Sequence, residues 1–138
     1  MSPRGGARLR TMSATDIRTR AATARKYLEI GELVHDEEPD EAPSRQVAGG
    51  LAVLAAIAAS DAICGSRTGS APQGQDHAQA VSVLEATQPD GRALATHLRR
   101  VLDHKANAHY GTTYLTDDTV TSMLRHARSL VDALESTI

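Results

Sequence analysis

Apolar side chains recur along this chain at intervals of three and four residues, the period of a helix with one buried face. Ile17, Ala21, Ala24 and Leu28 hold that period, and Tyr27, Ile30, Leu33 and Val34 widen the stripe, which predicts a helix from about Ala14 to Val34. Ser13 is placed to cap it, with Asp16 in the first turn. A second stretch, from about Arg45 to Cys64, is apolar nearly all the way round between Val47 and Ala59. Such a helix is buried on most sides, and Gly65 is placed to end it. A short third helix from about Asp76 to Thr87 turns Ala80, Val81 and Leu84 inward, and Gln88-Pro89-Asp90-Gly91 is a turn. A fourth runs from about Arg92 to His109 on the stripe Leu94, Leu98, Val101 and Leu102, and Gly111 closes it. The last starts at the N-cap Thr116 and carries the cleanest period, Val120, Met123, Leu124, Ala127, Leu130, Val131 and Leu134. The expectation is an all-α protein, an up-down bundle of four to five helices.

The intervals between the stripes read as connections. Residues 1–12 are rich in Gly and Arg without an apolar period, so a disordered N-terminal tail is expected there, with Met12 a candidate biological start. Residues 13–138 then form one domain. Residues 36–43, with two prolines among acids, read as a solvated linker. Residues 65–75 read as a flexible loop. Their glycines make no phosphate-binding loop, since no strand precedes them and no Gly-Lys-Ser/Thr follows. No internal repeat is present.

Composition sharpens this picture in three places. The chain has no Trp, no Phe and only 3 Tyr, so its core must come from Leu, Val, Ile and many Ala. Ala and Leu are strong helix formers, and small side chains let backbones approach closely. The formal net charge of −2 argues against a surface that coats nucleic acid everywhere, but leaves room for a local basic cleft. The single cysteine, Cys64, reads as a small buried side chain, and it fits a reducing compartment. The longest uncharged apolar stretch, Gln46 to Ser60, is 15 residues, short of the roughly 20 that a spanning helix needs. With no apolar run after the N-terminal arginines, the expected address is the cytoplasm, with no membrane partner.

The candidate chemistry lies in polar residues at positions where the pattern asks for apolar ones. Lys105 and His109 continue the stripe of the fourth helix. The plain reading is a snorkelling lysine and a histidine capping the last carbonyls, and the functional reading is a polar pocket. Asp61 sits near the C-terminal end of the buried second helix, where an acid opposes the helix dipole and calls for a cation, Lys105 or Arg67. Asp76 and His77 open the third helix, where Asp76 alone reads as an N-cap. If the second and fourth helices run parallel, Asp61, Asp76, His77, Lys105, His109 and Tyr110 share one pole, and a histidine beside a carboxylate makes an acid–base pair. No metal site is expected. His97 and His104 share an exposed face but are too few ligands, and His104 and His109 stand about 140° apart on a straight helix.

Three stretches taken together, AIAASDAICGSRTG at 56–69, GQDHAQAVSVL at 74–84 and LRRVLDHKANAHYG at 98–111, resemble the HEPN superfamily of small helical-bundle proteins over roughly residues 14–135. Many HEPN proteins are RNA endonucleases of toxin–antitoxin or phage-defence systems. They carry an Arg, then four to six residues, then a His that a Tyr follows closely, and they typically dimerise. The resemblance implies an RNA or nucleotide ligand and metal-independent acid–base chemistry at His109. It further implies Lys105 on the phosphate, Tyr110 beside them, a homodimer, and an antitoxin or nucleotidyltransferase partner. Asp61, Asp76 and His77 would be the supporting cluster, and no cofactor is called for. The chain departs from the family pattern where the Arg should stand: His104 is five residues before His109 and Lys105 four. Arg99 does precede His104 by five, but on a face turned away from the apolar stripe. The alternative expectation is therefore a non-catalytic helical interaction module, a degenerate HEPN partner or regulator.

Overall fold

In a computed structural model that describes residues 8–138, the chain folds into six helices and one two-stranded ribbon. Helix α1 spans Ala14–Glu37 and is capped as its sequence predicts. The Ser13 hydroxyl accepts from the Asp16 amide while the Asp16 carboxylate accepts from the Ser13 amide, a reciprocal capping box. Helix α2 spans Ala42–Thr68 and lies at the centre, against α1 on one side and α6 (Asp117–Thr137) on another. Helices α3 (His77–Glu85) and α4 (Gly91–Leu102) pack on each other, and α4 packs on α6. The six-residue α5 (Lys105–Tyr110) lies against α2.

The core is what an alanine-rich chain can build. Ala48, Ala52, Ala55, Ala56, Ala58, Ala59 and Ala62 of α2 are all fully buried, joined by Leu28, Leu98, Met123 and Leu130 from the surrounding helices. Each alanine removes little apolar area from water, at roughly 25 cal/mol per Å². The gain is close approach. Gly31 of α1 shows it: a β-carbon there would stand 3.2 Å from the Leu51 β-carbon.

Five expectations need correction. First, α2 does not stop at Cys64. Gly65 continues the helix, because a β-carbon there would stand 2.9 Å from both Ile17 and Met12, so this glycine serves packing. The helix ends four residues later at Gly69, whose φ of +85° is the left-handed conformation that glycine adopts at least cost. Second, at 27 residues α2 is long and apolar enough to cross a bilayer by length and composition, which the 15-residue estimate missed. Yet 72% of its most apolar window is covered by the other helices, as in a core helix.

Third, part of the expected tail is ordered; residues 1–7 lie outside the described residues. Leu9–Thr11 form strand β1, antiparallel to β2 (Ser70–Pro72), with Arg10 opposite Ala71. Met12 is only 5% exposed, and its amide donates to Gly69 O at 2.9 Å. Fourth, the loop after α2 is correspondingly not wholly flexible, since β2 lies within it. Fifth, the fourth predicted helix is two. The Asp103 amide still bonds Arg99 O, but the His104 amide reaches only Val101 O, a tightened i→i+3 turn that stops α4. Helix α5 then restarts at Lys105.

A cavity along the flank of α2

The packing of α5 against α2 decides where its side chains go. Gln46, near the start of α2, donates through Nε2 to Asn107 O at 2.7 Å and accepts the Leu115 amide through Oε1 at 2.9 Å. That pins the C-terminal end of α5 to the first third of α2. His109 then lies over Gly50, with Nε2 at 3.4 Å from the Gly50 carbonyl. A carbonyl can only accept, so in this contact Nε2 is the donor, and Nδ1 is the ring nitrogen left for another partner.

Eleven residues further along α2, about 16 Å at the helical rise, stands Asp61, only 8% exposed. Between them Leu54 and Ile57 give the flank an apolar floor. A cavity of about 560 Å³ occupies this flank, and Asp61, Asp76, His77, Lys105, His109 and Tyr110 all line it. All six residues singled out from sequence therefore border one space. The space is a side groove and not a pole, because His109 reaches the first third of α2 instead of its last turn.

Within the groove the residues hold different stations. Asp61 Oδ2 accepts from the Arg10 guanidinium at 3.0 Å and from Arg20 at 3.1 Å. These two arginines, from β1 and α1, are the cations that the carboxylate called for; Lys105 and Arg67 are not its partners. Arg67 instead donates to Thr87 Oγ1, Pro89 O and Thr137 Oγ1, so the cavity of about 410 Å³ beside it is a tied-down seam between α2, α6 and the α3–α4 turn. Burial pushes the Asp61 carboxyl above the ordinary aspartate value, with Arg20 and then Arg10 pulling it back. Asp76 caps α3, accepting the Gln79 amide at 3.2 Å. His77 Nε2 stands 3.9 Å from Asp103. Tyr110 is 82% exposed and meets the His109 ring edge-on. The histidine–carboxylate pair expected at His109 is not made, since the polar partner of its ring is the Gly50 carbonyl.

The functional residues that sequence reasoning missed are Arg10 and Arg20. Arg10 stood in a segment without periodicity. Arg20 occurs one position before the buried Ala21, on a helix flank where a basic residue reads as solvated. The other histidines also differ from expectation. His97 does not face open solvent; it meets His126 of α6, Nδ1 to Nδ1 at 2.9 Å, so one ring donates to the other. Among the described residues no group of three or more His, Cys, Asp or Glu is arranged to hold a metal ion. Burial pushes the Cys64 thiol up to about 12, which leaves it inert as a thiolate. No protein-family model matches this chain, and no curated protein matches it.

Proposed function

We propose that this protein is a HEPN-like up-down bundle that binds RNA in the flank groove of α2 and cleaves it without metal. The observation that carries the reading is the convergence of Lys105, His109 and Tyr110 with Arg10, Arg20 and His77 on one groove. There cations outnumber acids, and an apolar floor is available to a base or ribose. Phosphates are drawn to such a groove, and guanidinium groups present paired donors to their oxygens. His109 is the acid–base residue: its free Nδ1 takes the proton from a ribose 2′-hydroxyl as that oxygen attacks the adjacent phosphorus. The bond to the 5′-oxygen of the next nucleotide breaks, and that oxygen takes a proton from solvent water as it leaves, giving a 2′,3′-cyclic phosphate and a 5′-hydroxyl, while His109 returns its proton to solvent. Lys105 holds the phosphate, as a point charge where the family uses the planar fork of Arg.

The test is single-stranded RNA binding and cleavage in the presence of a chelator. His109→Ala is expected to fold, to keep binding within a few fold, and to lose cleavage by roughly 100-fold or more, the usual scale for removing an acid–base group. Equal cleavage by that variant and the parent rules the assignment out. By the same resemblance the protein acts as a homodimer, alongside an antitoxin or nucleotidyltransferase partner; the cytoplasm is its proposed address.

One observation favours a second reading. His109 has no carboxylate partner to strengthen it as a base, and no Arg stands at the family's place before it, where His104 is five residues and Lys105 four residues ahead of His109. A groove of that kind suits a non-catalytic HEPN-like partner or regulator. Under this reading RNA remains intact in every assay, and Lys105→Ala lowers the melting temperature without changing RNA binding.

A further inference from the structure

The pair of arginines on Asp61 leaves donors unspent. A guanidinium carries five N–H groups. Arg10 gives one to Asp61 and one, from Nε, to Pro72 O at 3.4 Å. Arg20 gives one to Asp61, and its Nε is buried with no partner at all. A buried donor left unmade is costly, so such a group needs a reason to persist. An acceptor that arrives from outside supplies one. Asp61 meanwhile holds both guanidiniums by the same oxygen, which fixes them side by side at one end of the groove.

Asp61 is nearly buried at that end, while the Arg10 and Arg20 side chains remain 43% and 30% exposed. Their remaining N–H groups are open to a ligand that brings several acceptor oxygens. A phosphate monoester carries close to two negative charges at neutral pH and three free oxygens, against one charge and two oxygens for a diester. We propose that Arg10 and Arg20, positioned by Asp61, clamp a terminal phosphate monoester of a nucleotide or short oligonucleotide, with the rest of the ligand running along α2 toward Lys105 and His109. The proposal rests on reading the groove as an RNA site, and it names the group that anchors the ligand there.

The experiment titrates the full chain with one short single-stranded RNA in three forms at fixed salt: 5′-phosphate, 3′-phosphate, and hydroxyl at both ends. One phosphate-ended form is expected to bind at least about tenfold tighter than the hydroxyl-ended form, the scale of added charge-assisted hydrogen bonds; which end wins gives the polarity of the ligand. In Arg20→Met, and independently in Arg10→Met on the exposed strand should the first variant not fold, that ratio collapses toward one. Equal binding of all three forms by the parent overturns the clamp and leaves the RNA reading standing. If no RNA binds, inorganic phosphate decides. A rise in the parent's melting temperature over chloride of equal ionic strength, lost in the arginine variants, keeps the clamp and removes the RNA reading. No rise removes both.

Discussion

Charge is used in two ways in this molecule. Along the seam between α1 and α6, Arg25 pairs with Glu135, Arg128 with Glu32, and His35 with Asp117, all with at least one partner well exposed. At the groove, Asp61 holds Arg10 and Arg20 with its carboxylate nearly buried. The contacts look alike on a distance list, but their energetics differ. Water screens the seam pairs, so each contributes about 0–1 kcal/mol. The Asp61 carboxylate loses its hydration, which is why burial raises its pKa despite two guanidiniums beside it. A chain gains little stability from such an arrangement compared with an apolar residue, and that makes it a candidate for function.

The largest expected effect breaks this comparison at Asp61. Asp61→Ala leaves two arginines facing each other without an anion, and it should cost about 1–3 kcal/mol in urea unfolding, less than for fully buried partners because both arginines reach solvent. Asp61→Leu combined with Arg10→Met and Arg20→Met should recover most of that loss. A triple variant as unstable as the single one would show that unpaired charge is not the cause.

A smaller effect comes from the His97–His126 contact between α4 and α6. Burial and the neighbouring His97, with Arg100 and Arg125, hold His126 below the ordinary histidine value. The unfolded chain therefore takes up a proton near 6.5 while the folded one waits for lower pH. Stability falls as pH drops through that window. Melting temperature measured from about pH 7.5 down to pH 5.5 should decline, and His126→Gln should flatten the slope. An unchanged slope in that variant would assign the pH dependence elsewhere.

The smallest effect sharpens the seam side of the comparison. A double-mutant cycle on Arg25 and Glu135 should give a coupling below about 1 kcal/mol that fades in roughly 1 M salt. A coupling that survives salt would mean the seam is drier than its exposure implies.

Much of the fold was legible because helices announce themselves locally. The stripe of α6, the inner stripe of α1 at Ala21, Ala24 and Leu28, the caps Ser13 and Thr116, and the burial of Cys64 followed from period and side-chain chemistry, whereas Ile30 and Leu33, expected to widen the α1 stripe, are exposed at 38% and 49%. The break between α4 and α5 was not legible. The apolar spacing runs smoothly from Leu94 to Leu102, and the turn at Asp103–His104 is sustained by Gln46, some 60 positions away, holding α5 by its carbonyls. Of the six candidate groove residues, Lys105 and His109 were found because each was polar where the stripe wanted apolar, Asp61 because an acid there opposes the helix dipole, and Asp76, His77 and Tyr110 because the expected topology brought them to the same region. Arg10 and Arg20 were not, since neither violates any local rule.

The sequence by itself determined that this chain forms close-packed helices, because alanine and leucine set both the propensity and the width of the buried faces. It also determined that Asp61 needs a cation, since an acid in so apolar a helix cannot stay bare. Only the tertiary structure decided which cation. The short ribbon of Leu9–Thr11 on Ser70–Pro72 has no periodic signal of its own, and it forms because Met12 packs beside Gly65. That long-range contact brings Arg10 across to Asp61 and turns two scattered arginines and one buried acid into the end of a groove.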